Sequence, residues 1–192
     1  LSFLSDNRFD PCRPYSKLGV DIDTLWQSNL LEKKEINGLH FHTVFSAHDF
    51  TPLLKTIEKL RRYFGHQLAQ LEWINFGGGY LFQYIDNYQP FIDLVTTLRK
   101  ELKLDIYIEP GNAVVGNAAN LVASVIDCFE SEGKNIVILD TSVNHHPEVF
   151  EYQRILDMDL HDNMGKYAAI IAGGTCLAGD IFGEYRLRQP LH

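Results

Sequence analysis

Trp73-Ile74-Asn75-Phe76-Gly77-Gly78-Gly79-Tyr80 is the stretch on which the fold turns. A short apolar run stops at three consecutive glycines, and an amphipathic segment follows. Three glycines free the backbone to turn sharply and to aim several N–H groups at one point. Such a nest, at a strand end and near a following helix N-terminus, suits a phosphate group. A tight strand-to-helix turn that binds nothing is the competing reading of the same tripeptide.

Working outward, Leu71–Phe76 reads as a strand, and the elements around it alternate in kind. Upstream, Gly38–Val44 alternates and carries an aromatic, the pattern of a strand. Between the two strands, Leu53, Leu54, Ile57, Leu60 and Phe64 recur at helical steps and predict a helix over Asp49–Phe64. Downstream, Tyr88–Leu102 is a second helix, with Phe91, Leu94, Val95 and Leu98 on one face. Leu104–Ile108 is a third strand, closed by Glu109-Pro110-Gly111. Strand–helix–strand units at roughly 30-residue spacing imply parallel strands with right-handed crossovers. These intervals fit part of a (β/α)8 TIM barrel, whose chemistry sits at the C-terminal strand ends. His42, Gly77–Gly79 and Glu109 all fall at such ends and are expected to converge around one cavity.

Before the first of these strands, Leu1–Ser5 reads as the inside of a strand. A loop rich in Asn, Asp and Pro follows, then a helix over Asp23–Leu31 capped by Asp23 or Thr24. After about residue 119 the texture changes. Leu121–Phe129 and Asn135–Leu139 read as strands joined by the polar turn Glu130-Ser131-Glu132-Gly133-Lys134, hence an antiparallel hairpin. Tyr167–Ala172 and Ile181–Leu187 are further strands. The expected organisation is α/β: residues 1–118 as a partial barrel and 119–192 as part of a C-terminal β-rich domain.

Composition narrows the function. The 192 residues are 45% hydrophobic and 22% charged, ordinary for a globular protein with a real core. A net charge of -8 without basic runs argues against a nucleic-acid surface. No apolar run approaches the ~20 residues of a membrane span. Cys12, Cys128 and Cys176 form neither a zinc pattern nor a disulfide framework. A cytoplasmic enzyme is the expectation. The lack of an initiator Met and the stop at Pro190-Leu191-His192 suggest a fragment.

Several residues could carry chemistry. His42 lies two positions from His40 on one strand face. Glu109 is a carboxylate held at a strand end by a rigid turn. His145 and His146, with Glu148 nearby, are read as strand neighbours pointing to opposite faces, so no shared metal is expected. Cys176 sits in Gly173-Gly174-Thr175-Cys176-Leu177-Ala178-Gly179-Asp180, a mobile-looking loop in which a buried, inert cysteine would be out of place.

Taken in order and at these intervals, Leu39-His40-Phe41-His42, Gly77-Gly78-Gly79, Glu109-Pro110-Gly111 and Thr175-Cys176-Leu177-Ala178-Gly179-Asp180 resemble the fold type III, alanine-racemase-like decarboxylases that use pyridoxal 5'-phosphate. Phe182-Gly183-Glu184-Tyr185, Asp140-Thr141-Ser142 and His145 with Pro147-Glu148-Val149 make the chain most similar to the carboxynorspermidine decarboxylase branch of that family. The resemblance implies that the Gly77–Gly79 amides hold the cofactor phosphate, that Glu109 faces the pyridine nitrogen and that His42 stacks on the ring. It implies that Cys176, reaching into the neighbouring subunit's site of a homodimer, protonates the product carbon. Glu148, Asp180 and His145 are the candidates for holding a small cationic carboxylated polyamine, and the implied reaction belongs to spermidine biosynthesis.

Three departures qualify what is carried over. Asn112 stands where ornithine and diaminopimelate decarboxylases place a phosphate-binding arginine, which argues against those substrates. His42 is followed by Thr43-Val44-Phe45-Ser46 instead of the family's Asn and Cys-Glu pattern. The family's Schiff-base lysine lies upstream of anything matched here, and a late pocket tyrosine lies beyond Leu191, so the 192 residues by themselves are expected to be inactive. A non-catalytic homologue, or a decarboxylase of another basic or diamino acid, is the alternative.

Overall fold

The computed structural model describes residues 8–192, so the strand expected at Leu1–Ser5 lies outside the described residues. The chain divides into two compact units, one running to Ala119 and one covering Asn120–His192.

The first unit opens with α1, Ile22–Ser28. Its cap is Asp21, whose carboxylate accepts from the amides of Asp23 and Thr24, so the helix starts before the expected Asp23 or Thr24 cap. It also stops three residues short of Leu31, because Asn29 turns into the left-handed region at φ 55°. Three short strands follow: β1 (Gly38–His40), β2 (Trp73–Asn75) and β3 (Asp105–Tyr107). They form one parallel sheet in the order β1-β2-β3, as strand–helix–strand spacing requires. Each strand is shorter than its apolar run.

Helices α2 (Thr51–Phe64) and α3 (Gln89–Leu102) make the two crossovers. Both carry a proline in the first turn, where its missing N–H has no intrahelical partner to lose. The face of α2 that enters the core is Leu53, Ile57, Leu60 and Phe64, each at most 3% exposed, while Leu54 stands outside it at 39%. Burial is worth about 1.5–3 kcal/mol per such side chain, against at most about 1 kcal/mol for a surface pair such as Arg62–Glu58. Core packing therefore sets the seating of α2. Thr56 takes a buried place beside these side chains, with its hydroxyl bonded to Thr43.

No helix follows the glycines directly. The chain leaving β2 stays extended beside Ala47, whose N–H donates to Gly79 and whose carbonyl accepts from Leu81. Buried Tyr80 and its neighbour Phe82 then pack on Phe50. One 3-10 turn at Phe82–Tyr84 precedes α3, which begins ten residues after Gly79. The strand-to-helix nest expected from the tripeptide is thus a strand exit held by a second extended segment.

The second unit is a four-stranded sheet in the order β4 (Val125–Ser131), β5 (Lys134–Leu139), β6 (Tyr167–Gly173) and β7 (Ile181–Leu187). β4 and β5 are the expected hairpin, turning at Glu132 and Gly133, both at positive φ. β5 and β6 pair in parallel and β6 and β7 antiparallel. Val137, Val143, Ile171, Phe182, Tyr185 and Leu187 form its core. His145 and His146 lie in and just after a 3-10 turn (Val143–His145), not in a strand. Ser142 caps that turn through Asn144 N, and the apolar Val143 between them is what the core takes up. No helix among the described residues is long and apolar enough to cross a membrane.

Candidate active site

The last paired positions across the parallel sheet are His40, Asn75 and Tyr107. The ladder runs on past them: Phe41 N donates to Asn75 O at 3.1 Å, Phe76 N to Tyr107 O at 2.9 Å, and Glu109 N to Gly77 O at 2.9 Å. Two residues beyond each paired position, hence on the same face, stand His42, Gly77 and Glu109. An in-register parallel sheet therefore brings the imidazole, the glycine turn and the carboxylate together at its C-terminal edge.

The glycines serve first as space. Gly77 and Gly79 have φ values of 69° and 89°, which disfavour any side chain. A Cβ on Gly78 would fall on the carbonyl of Glu109, one on Gly77 on the carbonyl of Phe41, and one on Gly79 on the carbonyl of Val44, all inside van der Waals contact. Three amides free for an anion are not what the structure presents. Gly77 N–H is given to Asn75 Oδ1 at 2.9 Å, a local turn over two residues, and Gly78 N–H to His42 Nδ1 at 3.2 Å, which the close approach of the neighbouring strand exit brings within reach.

His42 is half-buried, and its acceptor role at Nδ1 places the ring hydrogen on Nε2. Burial, then the neighbouring His40, push its pKa below 6.5, while Glu109 pulls the other way. The ring is neutral near pH 7. Glu109 is half exposed; Asn75 Nδ2 donates to its Oε1 at 2.8 Å and His40 Nε2 lies 3.4 Å from its Oε2. A cleft beside His40 and His42 is walled by Ile22, Leu25, Leu39 and Phe64, but neither Glu109 nor Gly77–Gly79 line it. The three groups adjoin one another without sharing that hollow.

The remaining candidates lie in the second unit. Cys176 is exposed and free. Asp180 is 3% exposed and filled by its own chain, accepting from Thr175 Oγ1 (2.6 Å), Val143 N (2.9 Å), Ser142 Oγ (3.1 Å) and Thr175 N (3.2 Å). Burial pushes its pKa up, yet the donors from Thr175, Val143 and Ser142 outweigh it and hold the carboxyl below its ordinary range. The expectation that Asp180 pairs with a substrate amine gives way here: it is a clasp between the Cys176 loop and the turn at Ser142. His145 Nδ1 is 3.0 Å from Thr141 Oγ1, and Glu148 Oε1 is 3.5 Å from His146 Nδ1. Two contributors escaped the sequence reading, Asn75 and the second role of His40; the available signal was that both occupy the pair position two residues before a candidate group.

A family model described as "Pyridoxal-dependent decarboxylase, C-terminal sheet domain" matches residues 9–192. The carboxynorspermidine/carboxyspermidine decarboxylase of Campylobacter jejuni is 35% identical, aligned over 95% of this chain and 50% of its own. That of Herminiimonas arsenicoxydans is 30% identical over 100% of this chain and 51% of its own. The structure of carboxynorspermidine decarboxylase from Campylobacter jejuni complexed with norspermidine superposes with a TM-score of 0.72 at 33% identity, covering 97% of this chain and 53% of that one. The chain spans about half the length of the curated relatives it matches. Over nearly all its length, then, the chain belongs to the pyridoxal-dependent decarboxylases, as its ordered motifs imply.

Proposed function

We propose that the protein to which these 192 residues belong is a pyridoxal-phosphate-dependent carboxy-lyase that decarboxylates carboxynorspermidine or carboxyspermidine in polyamine biosynthesis. The observation that carries this reading is the meeting of His42, Gly77–Gly79 and Glu109 at one sheet edge. The residues fit the cofactor. The bare glycines let the turn pack directly on the neighbouring strand exits, a neutral imidazole adjoins it, and a carboxylate stands one strand away with half its surface free.

Bound there, the cofactor would supply the electron sink for the charge left when carbon dioxide departs. The chain's own residues prepare that chemistry. Glu109 keeps a proton on the ring nitrogen by the attraction of its negative charge. His42, held in its plane by Gly78, supports the ring face. The glycine turn would receive the phosphate with the Gly79 amide. Cys176, exposed on its loop, gives a proton to the product carbon across the interface of a homodimer. Glu148, beside His146, and His145 are read as the residues that would hold the substrate's amines. The parallel sheet is read as three strands of a (β/α)8 barrel, residues 119–192 as part of the following β-domain, and the enzyme as cytoplasmic.

The full-length protein, supplied with pyridoxal phosphate and the carboxylated polyamine, should turn yellow and release carbon dioxide. Glu109→Gln and Cys176→Ala should each lower kcat, the first together with cofactor affinity. Full-length material that neither binds the cofactor nor releases carbon dioxide rejects the proposal. Turnover of diaminopimelate or ornithine in preference to the polyamine would reassign the substrate.

A further inference from the structure

Asn75 occupies the end of β2 with His40 on one side and Tyr107 on the other. Its amide makes two bonds at once. Oδ1 accepts the Gly77 N–H at 2.9 Å, and Nδ2 donates to Glu109 Oε1 at 2.8 Å. Only one orientation of the amide satisfies both neighbours, since a backbone N–H can only donate and an ionised carboxylate can only accept. Gly77 O in turn accepts the Glu109 N–H at 2.9 Å. The glycine turn and the carboxylate are therefore tied twice, once through backbone and once through this side chain.

We propose that Asn75 is a positioning residue that locks the Glu109 carboxylate and the first glycine of the turn into one geometry, with His40 steadying the second carboxylate oxygen. The inference rests on the reading of this site as a pyridoxal-phosphate cradle. A cradle for that cofactor would have to meet its ring nitrogen and its phosphate within one small molecule, so the carboxylate and the turn would need to keep a set separation. A primary amide of this length supplies an acceptor and a donor from one side chain. Aspartate keeps the acceptor toward Gly77 but sets a second carboxylate against Glu109. Alanine removes both bonds, and glutamine moves the amide out by a methylene. The charged and titratable groups facing the pair are His40 and His42 from the β1 side and Glu109 itself from β3.

The test uses full-length protein carrying Asn75→Asp or Asn75→Ala. Without cofactor, Asn75→Ala should exchange its Gly77 amide hydrogen faster than wild type, while Asn75→Asp keeps the protection. Both variants should bind pyridoxal phosphate more weakly by about tenfold or more, the scale seen when supporting residues around a bound group are removed. In Asn75→Asp, affinity should return as pH falls and the new carboxyl gains a proton to donate; in Asn75→Ala it should not. A double-mutant cycle of Asn75→Ala with Glu109→Ala, read from urea unfolding without cofactor, should be non-additive. Unchanged Gly77 exchange in both variants, or an additive cycle, overturns the proposal. A wild type that binds no pyridoxal phosphate defeats the functional reading instead, and the exchange and the cycle still decide the role of Asn75.

Discussion

Gly78 gives its amide hydrogen to His42 Nδ1 across 3.2 Å, and this one bond joins the glycine turn to the imidazole. It exists only while Nδ1 is unprotonated. Burial and then His40 depress the pKa below 6.5, against the pull of Glu109, so between the folded value and 6.5 the unfolded chain binds more protons. Stability therefore rises with pH through that window: the contribution is complete above 6.5 and is lost as pH falls through the folded value. NMR of the His42 ring should show titration below 6.5, with Gly78 amide protection declining over the same range. A ring that titrates above 6.5 would contradict the bond.

Gly79 tests the demand for a bare backbone. At φ 89°, with the Val44 carbonyl where a Cβ would stand, Gly79→Ala must move the strand exit. The expected loss is about 1–3 kcal/mol in urea unfolding, the cost of holding such a backbone with a side chain. Gly111→Ala serves as the control, because nothing lies within 4 Å of its added Cβ, and its effect should stay within about 0.5 kcal/mol. Equal losses at the two positions would show that the turn tolerates a side chain.

The Asp180 clasp predicts an acid-sensitive second unit. With a folded pKa below its ordinary range, the carboxylate contributes stability that is present above the unfolded value and drains away as pH falls through the folded one. Asp180→Ala leaves the Ser142, Val143 and Thr175 donors without their acceptor and should cost roughly 1.5–3 kcal/mol, the range for hydrogen bonds to a charged group. Released from Thr175, the loop should also expose Cys176 to faster alkylation by iodoacetamide. Stability lost without any change in thiol reactivity would confine Asp180 to the turn at Ser142.

The elements whose apolar residues recur over many positions were legible in advance. The α2 and α3 helices and the β6 and β7 strands follow from spacing, and parallel pairing follows from the length of the crossovers. That His42, Gly77 and Glu109 adjoin at one sheet edge was legible because register and a period of two are all it needs; the single cavity expected around them was not what the structure presents, since the cleft beside His42 is lined by neither of the other two. What escaped were choices settled by local bonds. Asp21 captures the start of α1 from Asp23 because its carboxylate accepts from the Asp23 and Thr24 amides. Ala47 holds the chain extended past Gly79 where composition suggests a helix. Asp180 carries the same charge in sequence whether it faces a substrate or four donors of its own chain. Only burial distinguishes the two.

Thr43 and Thr56 supply the last prediction, an asymmetry inside a single hydrogen bond. Their hydroxyls lie 3.0 Å apart at 1% and 0% exposure, and Thr56 Oγ1 also donates to Pro52 O at 2.8 Å. Since Thr56 spends its hydrogen on Pro52, Thr43 must be the donor between the two. Thr43→Val removes that donor but leaves Thr56 satisfied by Pro52, so the loss should be near 1 kcal/mol. Thr56→Val strands the buried Thr43 hydroxyl and leaves the Pro52 carbonyl without this donor, and should cost about 1–3 kcal/mol. The double variant, with no hydroxyl left to strand, should lose less than the sum of the two. Unfolding midpoints of the three variants decide the matter: equal single losses would mean that Thr43 is not the donor.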